Sequence, residues 1–285
     1  MDYADLGEIY DRFDRLAGYE TVSSFGLAYY ELIADYLAGE SRSAQGLRLC
    51  FLEFLEVLER YHHALDDLVA ADEVTLGNMR SATERRDIAM RVLLEQLGAE
   101  IAAGSLEIGR LLLSAECYYQ LGAVESVVDR LEAALEMGAD HPLVLFALGY
   151  NRYELAMRAF TRYSTETGQR EIADEDRFRL ACLTAVSAFQ DGLTGSGFDG
   201  HLHWWIGSVL SAAGFAEAAQ ASFDKAESLL EGLDGWDPEA PLAAQSRRFA
   251  AHAEAALKGP ITEDEVREAG ILLRRSYDAS DLLDD

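Results

Sequence analysis

The sequence predicts an all-α protein, on three observations. Apolar residues recur three and four positions apart, the spacing of one helix face, and no run alternates with the period of a strand. Alanine, leucine, glutamate and arginine, all good helix formers, dominate the composition. The four prolines, Pro142, Pro238, Pro241 and Pro260, all lie at position 142 or beyond, so no proline interrupts a helix in the first half.

Glycine-containing junctions set the expected helices at about 4–17, 21–38, 44–70, 76–103, 105–121 and 123–137, then at about 141–164, 172–194, 199–213, 215–232, 241–258 and 262–277. The third carries the clearest stripe. In "LRLCFLEFLEVLERYHHALDDLV", Leu49, Phe51, Leu52, Leu55, Leu58 and Leu65 are expected on one face, with acids between them. "STETGQREIADED" (164–176) reads as a polar loop between two long helices. The helix at 262–277 opens on a capping box from Thr262 to Glu265, directly after Pro260. The tail "DASDLLDD" is acidic, as frayed termini often are.

Charge narrows the partners. The chain has 285 residues and a net charge of −27, from 51 acids against 24 bases. Lys225 and Lys258 are the only lysines. A field of that sign repels phosphate backbones and anionic lipid surfaces and favours basic proteins or peptides. It also serves solubility or a salty cytoplasm, independently of function. The start "MDYADLGEIYDRFD" is acidic where a secretory leader is basic, and no apolar run reaches the roughly 18 residues of a membrane span. Cys50, Cys117 and Cys182 are odd in number, far apart and set in apolar helical patterns, which predicts reduced core thiols and a cytoplasmic location.

Helices joined by short turns form antiparallel hairpins, and two stretches share one pattern. "IGRLLLSAECYYQLGAVESVVDRLEAALEMGADHP" (108–142) has Ala115 in its first helix, Gly122 at the turn, and Val127, Leu131 and Ala134 in its second. "GHLHWWIGSVLSAAGFAEAAQASFDKAESLL" (200–230) has Gly207, then Gly214, then Ala219, Phe223 and Ala226. Small residues let two helices cross closely, and a large one fills the space beside the next hairpin. Both stretches resemble the tetratricopeptide repeat. Residues 142–195 resemble a distorted third copy, with Leu148 and Gly149 at its start, Ala185, Phe189 and Gly192 at its end, and about twenty extra residues between. The resemblance spans roughly residues 108–230. It implies a helical-hairpin solenoid over 104–258, with 241–258 as a capping helix. Residues 1–103 would be degenerate repeats or a helical bundle, and 259–285 a last helix and acidic tail.

Repeats of this family bind partner peptides or proteins along a concave surface lined by their first helices. Carried over position by position, the resemblance places Leu112, Glu116, Tyr119 and Gln120 on that surface. It adds Leu143, Phe146, Tyr150, Tyr153 and Glu154, and then His201, Trp204, Ser208 and Ser211. The partner-binding residues expected from this set are Glu116, Tyr119, Phe146, Tyr150, Tyr153, Glu154, His201 and Trp204. They are rich in aromatic rings and include two acids and no lysine or arginine. The implied ligand is therefore a basic or amphipathic protein segment, not a peptide carboxylate. Aromatic residues at helical spacing also build cores, and Tyr150 with Tyr153 could serve there. Which of Trp204 and Trp205 is exposed is left open.

Signatures of catalysis are sparse. Glu59 and His62 read as E-x-x-H, one of the two such pairs a di-iron bundle uses; the second pair and the two further helix-borne carboxylates are missing. Solvated pairs of His62 with Asp66 and His63 with Asp67 compete with that reading. The glycine-rich "GLTGSGFDG" (192–200) follows a helix and offers no lysine, unlike a phosphate loop. His201 and His203 are two apart, so a regular helix points them to different sides. The expectation is a non-enzymatic scaffold or adaptor that needs no metal or cofactor. The alternatives are a peptide-responsive regulator of the same class, or a helical-bundle metal protein or enzyme built on Glu59 and His62. Homo-oligomerisation stays open.

Overall fold

The computed structural model describes residues 3–19, 24–39, 45–71, 76–102, 107–163, 170–196 and 198–230. These residues are predominantly helical. In order they form α1 (Tyr3–Leu16), α2 (Ser24–Gly39), α3 (Gln45–Ala70), α4 (Leu76–Ala102), α5 (Ile108–Gln120) and α6 (Val124–Glu136). After these come α7 (Pro142–Phe160), β1 (Thr161–Tyr163), β2 (Arg170–Ile172), α8 (Glu175–Asp191), α9 (Asp199–Ala212) and α10 (Ala216–Leu230). The helices expected at 241–258 and 262–277, and the acidic tail, lie outside the described residues. Among the described residues no helix is long and apolar enough to cross a membrane.

The chain divides into two compact units, Met1–Ala139 and Asp140–Asp285. That boundary falls inside the span 104–258 expected to be one repeat domain, and it groups α5 and α6 with the N-terminal helices.

In the first unit α3 packs on α1 and α4, and α5 packs on α2, α3, α4 and α6. The buried stripe of α3 is Leu47, Phe51, Phe54, Leu55 and Leu58. Leu49, expected on that stripe, is instead 54% exposed. It sits two residues from Leu47 and Phe51, about 200° around the helix, and so faces outward. α5 is buried from Gly109 to Ala115 and again at Cys117. Over that stretch the helix is surrounded by neighbours rather than solvated on one side.

The hairpin turns follow one design. After α5, Gly122 takes φ of 71°, its N–H donates to the Tyr119 carbonyl, and Ala123 N–H donates to the Tyr118 carbonyl. Gly214 repeats this after α9 with φ of 83°, and Phe215 N–H reaches the Leu210 carbonyl. These bonds satisfy helix-end carbonyls, and the left-handed backbone suits a residue without Cβ.

In the second unit α7, α8, α9 and α10 pack successively, each on the next. α7 starts at Pro142 behind His141, whose Nδ1 accepts from Leu143 N–H at 3.2 Å. Asp174 caps α8 by accepting from Arg177 N–H at 3.1 Å. Where a polar loop was expected, the chain first extends as an antiparallel ribbon, with Thr161 opposite Ile172 and Tyr163 opposite Arg170. The described residues are otherwise helical, consistent with the all-α expectation; the ribbon's three-residue strands are too short to show a period, so the alternation test misses them. Close approach between helices comes from two glycine–phenylalanine pairs. A Cβ on Gly149 of α7 would lie 2.6 Å from the Phe189 ring of α8. A Cβ on Gly207 of α9 would lie 2.7 Å from the Phe223 ring of α10.

Candidate functional site

The second unit assembles an aromatic cluster from α7, α8, α9 and the turn before α9. Asp199 sets its geometry. The carboxylate is buried and accepts from Thr194 N–H at 3.1 Å, Gly195 N–H at 2.8 Å and the Ser196 hydroxyl at 3.3 Å. Burial pushes this carboxyl up, but those donors outweigh it and hold it below the usual carboxylate range. The turn therefore fixes the start of α9 and with it the direction of the aromatic side chains one and two turns on.

Trp205 occupies the centre. Its ring meets Tyr150 edge-on at 5.2 Å, Phe146 at 5.9 Å and Trp204 at 5.3 Å, and lies 6.3 Å from Phe189. Phe146 is the hub below it, within 5.7 Å of both Phe189 and Phe198 and stacked on Tyr150. Edge-to-face pairs of this kind add about 0.5–1.5 kcal/mol each beyond the area they bury. The cluster is buried at one end, at Phe146 and Phe189, and half-exposed at the other, at Tyr150, Trp204 and Trp205.

The structure brings together Phe146, Tyr150, His201 and Trp204 among the residues singled out from sequence, with His201 tilted against Phe198 at 5.7 Å. Phe146 is buried at 8% exposure. Tyr153 and Glu154 are half-buried and share the α7 face of Tyr150 by spacing. His201 keeps one side in solvent, and partial burial of its ring and of the His203 ring pushes both imidazoles below the usual value. Both are therefore neutral at neutral pH. Trp204 and Trp205 are both half-buried, so neither alone is the exposed one.

Glu116 and Tyr119 belong to the first unit. The Glu116 carboxylate accepts from the Tyr30 hydroxyl at 3.2 Å and from Gln120 Nε2 at 2.8 Å. Burial pushes its carboxyl above the usual range, against those two hydrogen bonds. α2 therefore meets the side of α5 that the repeat pattern assigns to a partner, and Leu112 on that helix is fully buried. Tyr119 is 43% exposed.

Glu59 is held by Arg12 at 3.0 Å and Arg15 at 2.7 Å, and His62 stacks on Tyr19 at 6.0 Å. His63 and Asp67 approach to 3.7 Å. Among the described residues no group of three or more His, Cys, Asp or Glu converges as a metal site would need. The three cysteines are buried and in no disulfide, and burial pushes their thiols up, away from the reactive thiolate.

Trp205, Phe198 and Asp199 are members of the cluster that sequence reasoning left off its site list. For Asp199 a signal existed: an acid closing a glycine- and serine-rich turn just before an apolar run is the pattern of a turn-capping residue. No protein-family model, curated protein or solved structure matches the chain.

Proposed function

We propose that this protein is a non-enzymatic scaffold of tetratricopeptide-like hairpins that binds a basic or amphipathic protein segment in the cytoplasm. The half-exposed aromatic surface formed by Tyr150, Trp204 and Trp205 carries the reading. Large aromatic rings backed by a packed cluster are the common composition of binding hot spots. Supporting the repeat assignment are the two glycine–phenylalanine crossings and the shared turn at Gly122 and Gly214.

The charge supports the ligand class. The chain carries −27 overall, Glu154 stands on the same helix face as Tyr150, and His201 and His203 add no positive charge at neutral pH. Arginine or lysine on a partner would sit over an indole face, and apolar positions beside it would cover Tyr150.

A peptide with leucine and arginine at helical spacing tests this by tryptophan fluorescence. Saturable binding should weaken with added salt. Trp204→Ala and Tyr150→Ala should each reduce affinity by about tenfold or more, the loss of roughly 1.4 kcal/mol. Unchanged affinity in both variants, with helicity retained, rejects this surface as the binding site.

A further inference from the structure

A second feature lies in the first unit and is independent of the aromatic surface. Between α3 and α4 there is a cavity of about 240 Å3. From α3 it is lined by Val57, Arg60, Tyr61 and Ala64, and from α4 by Ala82, Arg85, Arg86 and Ala89. Each helix contributes positions i, i+3, i+4 and i+7, one face over two turns. Three of the four end positions are alanine, so those ends place no more than a methyl group against the space.

The lining is unusual for this chain. Acids outnumber bases 51 to 24 overall, yet three arginines and no acid line the cavity. The neighbouring cavity, lined by Arg12, Arg15 and Arg60, also holds Glu56 and Glu59, and its cations are matched. In the first cavity Arg86 is fixed in place. It donates to Asp87 at 2.9 Å and to the Gln120 carbonyl at 2.8 Å, and its guanidinium lies 4.7 Å from the Tyr61 ring centre. Arg60 pairs with Glu56, so two of the three arginines already have acidic partners just outside the lining, and both Arg60 and Arg85 are exposed. Arg85 gives Nε to the Ser81 carbonyl at 3.2 Å, and its terminal nitrogens have no partner among the described residues.

We infer that this cavity binds a small organic carboxylate with a compact apolar or aromatic body. The carboxylate would pair with the Arg85 fork, with Arg60 beside it. The body would rest on Ala64, Ala82 and Ala89 against the Tyr61 ring. The volume suits one ring or a short hydrocarbon chain and lies just below the usual range for ligand pockets. Charge selects the small molecule over an acidic protein. Repulsion by a chain of net charge −27 scales with the ligand's own charge, so a monoanion meets little of it and a polyanionic surface much more.

The probe is phenylacetate, with phenylacetamide as its neutral isostere, titrated into the full chain and followed by backbone amide chemical shifts. Phenylacetate should give saturable shifts confined to α3 and α4, and the amide should bind at least about tenfold more weakly. Arg85→Gln should weaken phenylacetate binding by a similar factor. Ala89→Leu should abolish it by filling the space, with helicity unchanged. Four results overturn the proposal: no saturable shift at roughly 10 mM, equal binding of the amide, binding that survives Ala89→Leu, or shifts that map elsewhere. Tighter binding of an acetylated Leu-Glu-Leu peptide than of phenylacetate overturns the small-molecule assignment.

Discussion

The hairpins α5–α6 and α9–α10 are built alike and end differently. Both close their first helix with a left-handed glycine; Gly207 lies at the α9–α10 crossing, and the residue matched to it by the sequence pattern, Ala115, is buried in α5. α9 packs on α8 and α10, and Trp204 and His201 keep access to solvent. α5 packs on α2, α3, α4 and α6, which bury Leu112 fully and engage Glu116 through Tyr30. The repeat pattern describes how two helices of a hairpin meet. It carries no information about what a third and fourth helix will cover.

The largest effect expected from this contrast is on stability. Leu112→Ala removes a fully buried side chain from an enclosed helix and should cost about 2–5 kcal/mol. Trp204→Ala removes a larger side chain that is only half-buried, and it should cost clearly less. Urea unfolding followed by far-ultraviolet circular dichroism measures both. Equal costs would mean that α9 is as enclosed as α5, and the aromatic surface would lose its claim to a partner.

The crossings come next. Gly207→Ala puts a methyl group 2.7 Å from the Phe223 ring and 3.1 Å from the Ala219 carbonyl. Phe223 is buried at 6% exposure and has little room to move, so a cost of about 1–3 kcal/mol is expected. Gly98→Ala is the control. Gly98 lies inside α4, is exposed, and has nothing within 4 Å of its missing Cβ. There the same substitution should stabilise by about 0.5–1 kcal/mol through helix propensity alone. Thermal unfolding of the two variants should shift in opposite directions.

Gly149, Phe189, Gly207 and Phe223 were legible as pattern residues from their spacing, but their partners were not: the large residue was expected beside the next hairpin, and each phenylalanine ring instead lies over the glycine of its own helix pair. Helix existence was legible for the same reason of spacing, while Leu49 shows how one residue of phase error places a side chain on the wrong face. The pairing of Thr161–Tyr163 with Arg170–Ile172 was not legible, since these strands are too short to carry a period. The fate of Glu116 was not legible either. Its burial depends on Tyr30, which is 86 residues away in sequence and lies on a helix outside the repeat pattern.

Two carboxylates give the same comparison a pH signature. The Glu116 carboxyl is raised by burial, so the folded state holds its proton more tightly than the unfolded chain. Its contribution is fully present below the ordinary carboxylate range and is lost as pH rises through the raised value. Asp199 is lowered by its amide donors, so its contribution is present above the ordinary range and is lost as pH falls through the lowered value. Glu116→Gln should therefore be more stable than the parent at neutral pH, with the gap closing in acid. Asp199→Asn should be less stable by about 1–3 kcal/mol at neutral pH, again with the gap closing in acid. Denaturant midpoints at several pH values test both signs. A Glu116→Gln variant that is weaker at neutral pH would mean the charged carboxylate is the favoured form beside Tyr30.

The smallest effect belongs to Tyr119. It lies on α5, one turn beyond Ala115, yet it is 43% exposed. Enclosure of α5 weakens there: Glu116 is tied to α2 and Gln120 to α4 through Arg86, while much of the Tyr119 side chain stays in solvent. Tyr119→Ser should then change stability by no more than about 0.5 kcal/mol, as surface substitutions usually do. The same variant should leave peptide binding at the α7–α9 aromatic surface unchanged. A loss of affinity comparable to that of Trp204→Ala would instead make Tyr119 part of the binding site, and α5 would share the exposed role that the present contrast gives to α9 alone.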